Sequence, residues 1–505
     1  MGTFYVTTPI YYVNAAPHMG HAYTTIAADV MARHHRQRGD EVFFLTGTDE
    51  HGEPVANAAE ALGMTPQALA DQNAERFRSL MPRLNASNDF FIRTTDAEHK
   101  AKVQEVMTRV KDNGHVYKGH YEGMYCPRCA DFKSDAEIED GDRCPIHHIV
   151  LTVEKEENWF FRLSAFQERL EQLYADKPDW VGPRHRANEA LSFIKGGLQD
   201  VSLSRAKLTW GVEVPWDTEH VFYVWFDALL NYYTALSYAR PGEDLTSTFW
   251  PPQQQVIGKD ILKFHAVFWP ALLMAADLPL PERLYIHGYL LMDGDKMSKS
   301  LGNVLDPFTI IDRFGTDALR HYVLRDVTFG QDGNVSTVAF EGRYESELAN
   351  GLGNLASRSI AMVRKYRDGA VPAVEPELQE DFAGLADEVA ALVDRAELTP
   401  ALELVWERVR RLNRYVEETA PWTLAKDPAS AERLDVVLAT LVEGVRVVAV
   451  LLAPVLPETV DKLLAALGAP DIAYERATLT AGAVTQVQAL APLFPKDLPA
   501  PAPAA

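Results

Sequence analysis

The spacing of apolar and polar residues divides the chain into two regions. Near the N-terminus, apolar runs at residues 4–8 and 41–46 flank an amphipathic segment, residues 21–38, that is followed by Gly39. A glycine directly after a segment of helical period is a common helix stop. This strand–helix–strand order predicts an α/β domain with a parallel sheet, whose ligands bind beyond the carboxyl ends of the strands.

The α/β pattern is interrupted and then returns. Residues 117–210 hold all three cysteines, many charges and only short strand-like runs, so they predict an insertion. Apolar runs at residues 221–225, 255–257 and 284–286 then continue the α/β pattern.

Beyond about residue 330 the apolar residues recur at helical spacing and predict an all-α bundle. The clearest segments are residues 348–366, 382–396, 402–418 and 431–452. Residues 491–505 are rich in proline and alanine, so we expect a disordered tail there.

Composition adds bounds to this picture. The 505 residues suit about three domains, and 47% apolar with 24% charged residues is typical of soluble globular proteins. The most apolar stretch, residues 445–460, is interrupted by Arg446 and two prolines, so we expect no membrane span. Because no secretory leader is visible, we expect a cytoplasmic protein. The net charge of −22 disfavours non-specific RNA binding, but a local basic surface can still bind RNA.

Two histidines and a glycine stand where the first predicted strand leads into the first helix. His18 and His21 are three residues apart, so they point to the same side, and Gly20 lets a ligand approach the backbone. A helix N-terminus offers N–H groups and partial positive charge to an anion, and imidazoles add donors. The pattern predicts a phosphate site, although alone it also fits capping or surface histidines around a turn.

Two lysines, Lys296 and Lys299, stand on a polar loop that is flanked by Gly294 and Gly302. Flexible ammonium groups can follow the charge that builds up on a leaving pyrophosphate, and the glycines favour a loop that closes and reopens. A solvated basic turn is the alternative for this segment alone.

Together these segments resemble the paired motifs of the class I aminoacyl-tRNA synthetases. The first motif departs from the commonest form only at Met19, where isoleucine or leucine is usual, and the second, residues 296–300, is intact. The resemblance implies that His18, His21, Lys296 and Lys299 stabilise the phosphates of ATP during amino-acid activation.

Residues 9–14, 47–52, 224–232 and 257–265 resemble the methionyl-tRNA synthetases in particular. The resemblance implies a methionine pocket formed by Ile10, Tyr12, Asp49, Trp225, Ala228, Leu229, Tyr232, Ile261, His265 and Trp269. Aromatic walls suit a polarizable thioether. We expect His265 and the Tyr12 hydroxyl to approach the sulfur as weak donors, and Asp49 to hold the substrate ammonium. Each aromatic residue taken singly also fits plain core packing.

The same resemblance implies an adenosine site at Gly258, Asp260, His287 and Gly288. Asp260 is expected to accept from the ribose hydroxyls, and His287 and Gly288 to contact the adenine.

The three cysteines belong to one pattern. Cys126 and Cys129 have two residues between them, and Cys144 and His147 repeat this spacing after a short loop. Two such pairs predict a tetrahedral Cys₃His zinc site, closed by four protein ligands and therefore structural. His148 is an alternative fourth ligand, and a redox-active Cys-x-x-Cys is the alternative for the first pair.

Two segments of the predicted bundle resemble the anticodon-reading positions of methionyl-tRNA synthetases. Asn354 and Arg358 stand one helical turn apart, and Pro421 precedes Trp422. Loop bases are read by stacking on aromatic rings and by hydrogen bonds to their edges. Trp422 is expected to supply the stacking face, and Asn354 and Arg358 the bonds. A solvated helix face with a packed tryptophan is the alternative.

The resemblance implies a complete reaction. ATP activates L-methionine to methionyl-adenylate, and the methionyl group passes to the 3′-terminal adenosine of tRNA(Met), including the initiator tRNA, with the 2′-hydroxyl as first acceptor. We expect Mg²⁺ with ATP and one structural Zn²⁺. The alternatives are another class I synthetase and a non-catalytic tRNA-binding relative. Because little sequence follows the bundle, we also expect a monomer.

The predicted domains follow from these segments. They are a Rossmann-like parallel-sheet catalytic domain in two halves (residues 1–116 and 211–330), a zinc-knuckle connective insertion (117–210), an all-α anticodon-binding bundle (331–490) and a C-terminal tail (491–505).

Overall fold

The structure is a computed structural model that describes residues 2–128, 131–133, 138–292, 295–296 and 306–497. The first part of the chain forms β1 (Thr3–Thr7), β2 (Tyr11–Tyr12), α1 (Met19–Gln37), β3 (Glu41–Asp49), α2 (Glu53–Ala61), α3 (Pro66–Arg83), β4 (Phe90–Arg93) and α4 (Ala97–Asp112). The next part forms β5 (Val116–Cys126), β6 (Asp131–Lys133), β7 (Thr152–Phe161), α5 (Gln167–Asp176), β8 (Val181–Gly182), α6 (Arg184–Lys195), β9 (Val201–Ser202) and β10 (Ser204–Arg205).

The second half of the α/β region and the bundle complete the chain. The former contains β11 (Val221–Phe222), α7 (Val224–Ala228), α8 (Asn231–Thr234), α9 (Thr246–Phe249), β12 (Gln254–Gly258), a π-helical turn (Phe264–Phe268), α10 (Trp269–Ala275), β13 (Leu284–His287), β14 (Leu290–Met292), β15 (Asp295–Lys296), α11 (Pro307–Phe314), α12 (Thr316–Arg325) and β16 (Gly333–Asn334). The latter contains α13 (Thr337–Arg343), a π-helix (Tyr344–Gly353), α14 (Asn354–Arg367), α15 (Gln379–Phe382), α16 (Leu385–Asp394), α17 (Leu398–Thr419), α18 (Pro421–Leu424), α19 (Ala431–Leu452) and α20 (Pro457–Ala466).

A seven-stranded parallel sheet carries the α/β region. Its order is β2-β3-β1-β12-β13-β8, and β4 is a further strand that pairs with β3. The predicted α/β class is therefore confirmed. Residues 117–210 form a separate antiparallel sheet of β6, β5, β7 and β9, and they also contribute the edge strand β8 to the parallel sheet.

The prediction that residues 221–225 resume the parallel sheet was wrong. Only β11 is extended there, and it pairs antiparallel with β10 in a separate two-stranded sheet. From Val224 the chain turns into α7, every residue of which is buried. A continuous apolar run has no period that distinguishes a buried strand from a buried helix.

The first βα unit matches the sequence pattern closely. Gly39 has a φ of 87°, which a side chain would disfavour, and it ends the turn after α1 as expected. Strand β3 runs on to Asp49, three residues beyond the predicted strand end, because residues 42–50 are all buried. Asp49 therefore lies at the carboxyl end of the sheet.

The predicted bundle is confirmed, with changes in its helices. Residues 431–452 form α19 with the predicted bounds, and the long segment before it forms α17. The segment predicted as one helix at residues 348–366 begins as a π-helix and becomes α14 at Asn354. Residues 382–396 fall into two helices, α15 and α16, separated at Gly384, whose φ is 70°. The short helix α20 was not predicted.

A buried ion pair between α1 and α12 connects these helices to the bundle. The Arg320 guanidinium, on α12, lies 2.7 Å from the Asp29 carboxylate on α1, and both side chains are fully buried. Arg320 also donates to the carbonyls of Leu84, Pro454 and Val455, so each nitrogen of its guanidinium has a partner. Removing one member of such a pair typically costs about 3–5 kcal/mol, because the other is left charged and buried. The α/β region and the bundle are thus held in one arrangement.

Within the described ranges, none of the helices combines the length and apolar character that a membrane span requires.

Candidate active site

A cavity of about 300 Å³ opens at the carboxyl ends of the parallel strands. Sixteen of the predicted site residues line it: Ile10, Tyr12, His18, Gly20, His21, Asp49, Trp225, Ala228, Leu229, Tyr232, Gly258, Asp260, Ile261, His265, His287 and Gly288. Segments almost 280 residues apart in sequence therefore meet where ligands bind in parallel sheets.

His18 and His21 cap the N-terminus of α1 reciprocally. The Gly20 N–H donates to His18 Nδ1 and the His18 N–H donates to His21 Nδ1, each at 3.1 Å. Burial and the neighbouring His18 ring lower the pKa of His21 well below its ordinary value. Because each Nδ1 accepts a hydrogen bond, the N–H of each ring is on Nε2. The capping alternative and the phosphate-donor interpretation are therefore compatible: Nδ1 caps the helix and Nε2–H remains a donor.

Asp49 presents a buried carboxylate to the cavity. Its side chain is 2% exposed, and among the described residues its Oδ1 has no hydrogen-bond partner. Burial, then the charges of Asp227 and Glu50, raise the pKa of Asp49 well above its ordinary value, and the nearby backbone N–H of His51 opposes this shift. An unpaired buried carboxylate is costly, and a cationic ligand group would relieve that cost.

Aromatic rings form the wall near Asp49. Tyr12 meets Trp225 edge-on with ring centroids 6.2 Å apart, and Trp225 meets His265 edge-on at 6.1 Å. Behind the wall, Phe264 stacks on Trp225 at 3.8 Å. Trp225, Ala228 and Leu229 share one helical face at spacings of three and four. This end of the cavity suits an apolar or thioether side chain.

His265 is oriented by two hydrogen bonds. Its Nδ1 lies 3.0 Å from the Ile261 carbonyl and its Nε2 lies 2.7 Å from the Tyr232 hydroxyl. Burial lowers the pKa of His265 to about 4, so the ring is neutral, with Nδ1–H donating to Ile261 and Nε2 accepting from Tyr232. The expected role of His265 as a donor to sulfur does not fit this arrangement, because its one N–H is committed to Ile261.

Trp269 is a further correction to the predicted pocket. It is fully buried one layer behind the cavity lining, where it packs against Tyr232 and Trp250. Its Nε1–H donates to Gln255 Oε1 at 3.1 Å. Trp269 therefore supports the wall rather than forming it, which is the core-packing alternative.

The predicted adenosine residues also line the cavity. A Cβ at Gly258 would lie 2.6 Å from Asp260 Oδ1, and one at Gly288 would lie 2.3 Å from the Gln331 backbone. Gly288 therefore requires glycine, because backbone cannot move aside, whereas a side chain at Gly258 would displace the Asp260 carboxylate. His287 donates from Nδ1 to the Gly288 carbonyl at 2.8 Å, and its Nε2 lies 2.7 Å from the Thr24 hydroxyl. Its ring orientation is fixed at the cavity edge.

The lysine loop is described only in part. The backbone of Lys296 lies in β15, which pairs with β14 directly after the adenosine residues. Lys299 and the Lys296 side chain lie outside the described residues. Their predicted positions in the site remain predictions.

The cysteine pattern forms a compact cluster away from the cavity. The Sγ atoms of Cys126 and Cys144 are each 3.8 Å from His147 Nδ1. A tetrahedral Zn²⁺ with ordinary Zn–S and Zn–N bonds separates such atoms by about 3.6 Å, so these three residues fit zinc. His148 points away, with a side chain 70% exposed and its Nδ1 3.0 Å from Glu139. Cys129 lies outside the described residues.

The predicted RNA-reading residues lie at one end of the bundle. Arg358 on α14 pairs with Glu417, at 3.1 Å, near the end of α17. Ala420, with a φ of 42°, then turns the chain into α18, which begins with the buried Pro421. Trp422 is 42% exposed and Asn354 is exposed, so both are accessible to a partner.

Comparison with known proteins covers nearly the whole chain. The family described as tRNA synthetases class I (M) matches residues 4–149 and 141–360, and the anticodon binding domain of methionyl tRNA ligase matches residues 367–492. This chain belongs to the methionine–tRNA ligases.

Individual methionine–tRNA ligases agree with this assignment. The enzyme of Streptomyces coelicolor is 47% identical over 483 residues, which cover 92% of this chain and 90% of that protein. The enzyme of Caldanaerobacter subterraneus is 44% identical over 472 residues, covering 92% of this chain and 74% of that protein.

Solved methionyl-tRNA synthetases share the whole architecture. The Mycobacterium tuberculosis enzyme in complex with methionyl-adenylate superimposes with a TM-score of 0.93 at 41% identity, covering 98% of this chain and all of that one. Its apo form superimposes with a TM-score of 0.87 at 38% identity. Among the alternatives, another class I synthetase is thereby excluded.

Sequence reasoning missed several residues of this ligase's cavity. Tyr23 and Thr24 on α1, and Tyr289 and Leu290 after β13, also line it. Thr24 follows His21 by one helical turn, so helical spacing could have identified it. Tyr289 and Leu290 follow the predicted adenosine residues directly, but a strand end gives no periodic signal.

Proposed function

We propose that this methionine–tRNA ligase divides its reaction between the two ends of the cavity. Methionine lies at the aromatic end and ATP at the histidine end, so that the methionine carboxylate attacks the α-phosphate in line. Methionyl-adenylate and pyrophosphate result. The work is positioning and charge stabilisation, and no protein nucleophile is needed.

The observation that carries this proposal is the unpartnered Oδ1 of Asp49. An α-ammonium group is the part of an amino acid that a buried carboxylate binds best, because the resulting pair is charged and hydrogen-bonded. With the ammonium at Asp49, the side chain extends along Trp225 and Leu229, both of which line the cavity. A thioether of methionine's length suits such a wall.

At the other end, His18 and His21 supply the fixed phosphate donors. Their Nε2–H groups and the N-terminus of α1 stabilise the negative charge that grows on the phosphates. Asp260 accepts from the ribose hydroxyls, and His287 with Gly288 forms the edge that the adenine contacts. Lys296 and Lys299 follow the leaving pyrophosphate from their loop.

Mg²⁺ enters with ATP in this proposal. Apart from the Cys126, Cys144 and His147 group, the described residues contain no cluster of three or more histidine, cysteine or acidic side chains suited to holding an ion. Mg²⁺ commonly binds substrate phosphates and keeps several waters, so it needs few protein ligands.

Zn²⁺ fits the knuckle, where Cys126, Cys144 and His147 would hold it with Cys129 as the fourth ligand. A closed four-ligand site supplies folding energy to the insertion rather than chemistry.

The RNA partner is tRNA(Met), including the initiator tRNA. Trp422 offers a stacking face to an anticodon base, supported by the buried Pro421, and Asn354 and Arg358 offer hydrogen bonds to base edges. The acceptor end reaches the cavity, where the 2′-hydroxyl of its terminal adenosine receives the methionyl group first.

ATP–pyrophosphate exchange, measured with each common amino acid in turn, tests the proposal. Methionine alone should support exchange, and the purified chain should then charge tRNA(Met) with labelled methionine. If none of the amino acids supports exchange, the chain is a non-catalytic tRNA-binding relative instead. A cytoplasmic location and a monomeric state stay predictions, and light scattering at micromolar concentration checks the second.

A further inference from the structure

A buried charged cluster lies directly behind the methionine wall. Asp227 is on α7 and is fully buried. Its Oδ2 lies 2.6 Å from His51 Nδ1, and its Oδ1 lies 2.7 Å from His99 Nε2. The predicted site residues do not include any of these three.

The cluster connects the elements that build the pocket. His51 follows Asp49 by two residues in the loop after β3, so it belongs to the segment that carries the ammonium-binding carboxylate. His99 is on α4, and its Nδ1 lies 2.7 Å from the hydroxyl of Thr234 on α8. Helix α8 also supplies Tyr232 to the cavity. Asp227 therefore accepts hydrogen bonds from two segments that frame the pocket, the loop after β3 and helix α4.

Helix α7 contacts both the cavity and the buried cluster. Trp225, Ala228 and Leu229 line the cavity, whereas Asp227 reaches the two histidines behind them. Burial alone would raise the pKa of Asp227, but His51 and His99 lower it to about 2. The carboxylate is ionised and accepts at both oxygens, so the two hydrogen bonds are charge-assisted and short.

We propose that Asp227 is a positioning residue that, through His51 and His99, sets the distance between Asp49 and the wall formed by Trp225, Ala228 and Leu229. This inference rests on the proposed function, because the distance affects activity only if an amino acid binds between Asp49 and the wall. In its bound conformation, methionine spans one length from the ammonium to the methyl group. A wall held at that length excludes a side chain longer by one methylene.

The size of the effect follows from known pockets. One methylene in an apolar pocket changes the specificity constant by about 10- to 200-fold. Loosening the wall reduces that discrimination, and a misplacement of the reacting carboxylate by about 1 Å can cost about 100-fold in rate.

The test compares L-methionine with L-ethionine, which is longer by one methylene, in ATP–pyrophosphate exchange. For Asp227→Asn we expect the KM for methionine to rise about tenfold and the preference for methionine over ethionine to fall about tenfold, with the KM for ATP within twofold of wild type. His99→Leu should act in the same direction. His99→Gln keeps a side-chain N–H and should restore most of the preference.

A matched control is Asp317→Asn, because Asp317 is also a buried helical carboxylate but accepts from the Thr459 N–H far from the cavity. It should lower the melting temperature and leave the methionine-to-ethionine ratio unchanged. If Asp227→Asn does not fold, the comparison of His99→Leu with His99→Gln tests the inference. If the wild type is active and the variants keep its methionine-to-ethionine ratio, the positioning role of Asp227 is wrong and the proposed function stands. Absence of methionine-dependent exchange in the wild type overturns the proposed function itself.

Discussion

The rings of His18 and His21 stack with their centroids 3.8 Å apart while each Nδ1 accepts a hydrogen bond from a backbone N–H. One pair of side chains thus both begins α1 and places two Nε2–H donors at the mouth of the cavity. The neutral state of His21 follows from burial and from its neighbour, which lower its pKa. Two stacked imidazoles can therefore approach a polyanion without repelling each other.

Separating the two roles of His18 gives the first prediction. His18→Ala should lower stability by about 1 kcal/mol, because the helix loses its N-cap. The kcat for ATP–pyrophosphate exchange should fall about 100- to 1000-fold, because a donor to developing charge is lost. Thermal melting and exchange kinetics measure the two effects.

His18→Asn is the matched control for this variant. Asparagine is a good N-cap, so it should recover the stability that alanine loses. It lacks a donor at the position of Nε2 and should leave kcat low. Recovery of both properties by asparagine would contradict a catalytic role for the imidazole.

Most residues that the sequence predicts for the site line one cavity, because they come from contiguous segments at strand ends. His18, Asp49 and His287 each end a strand or begin the helix that follows, and parallel topology brings such positions to one edge. Trp269 was misplaced because depth is not encoded in a motif: an aromatic residue that lines a pocket and one that supports the lining look the same along the chain.

The role expected for His265 failed for a different reason. Its tautomer is set by the Ile261 carbonyl four residues earlier and by a tyrosine on another helix, and such hydrogen bonds become visible only in three dimensions. The same holds for residues 221–225, whose strand-like composition is overridden by burial on all sides of α7. The spacing of residues along the chain indicated the chemistry of the site. Packing in the folded structure then determines which atom of each residue can contact a ligand.

Asp49 should couple methionine binding to proton release. Burial and neighbouring carboxylates raise its pKa well above the ordinary value in the empty pocket. The substrate ammonium favours the ionised form, so binding lowers that pKa and expels a proton. Methionine affinity should therefore increase with pH until the raised pKa of the empty site is passed or the amino group of methionine itself deprotonates.

Isothermal titration in buffers of different ionisation enthalpy measures this proton directly. Asp49→Asn should abolish the buffer dependence and weaken methionine binding about 100-fold, because a charged hydrogen-bonded partner is lost. Equal proton release in wild type and Asp49→Asn would assign the titrating group elsewhere.

The knuckle offers a test between two adjacent histidines. His147→Ala should lose bound zinc because its Nδ1 lies 3.8 Å from two cysteine sulfurs, whereas His148→Ala should keep about one zinc per chain because His148 points to Glu139. Metal content measured by mass spectrometry of the purified variants distinguishes them. Zinc loss from His148→Ala alone would reverse the ligand assignment.

Trp422 should matter for RNA and not for adenylate formation. Base stacking on an aromatic side chain is worth about 1–3 kcal/mol, so Trp422→Ala should lower kcat/KM for tRNA(Met) charging about 5- to 150-fold. Methionine-dependent pyrophosphate exchange should stay at the wild-type rate, because the cavity is in the α/β region. Trp422→Phe keeps a ring, so its kcat/KM for charging should lie between those of wild type and Trp422→Ala. Equal losses in charging and exchange would instead indicate misfolding of the bundle.

A buried histidine between α1 and the bundle should make the protein sensitive to acid. His34 is 2% exposed, packs edge-on against Tyr474, and has no partner for its Nε2 among the described residues. Burial, then its neighbours His35 and Arg38, lower its pKa from 6.5 to about 3. Above pH 6.5 the ring is neutral in both folded and unfolded chains. Below pH 6.5 the unfolded chain binds a proton that the folded chain excludes, so stability is lost as pH falls towards 3.

His34→Phe should remove this contribution and keep the ring contact with Tyr474. Between about pH 4 and pH 6 the free energy of unfolding of the variant should fall less steeply than that of wild type, by about 1.4 kcal/mol per pH unit. Denaturant unfolding at a series of pH values measures the slope. His185→Phe, at an exposed position on α6, should keep the wild-type slope. Parallel profiles for wild type and His34→Phe would show that the folded protein admits a proton at this site, contrary to its burial.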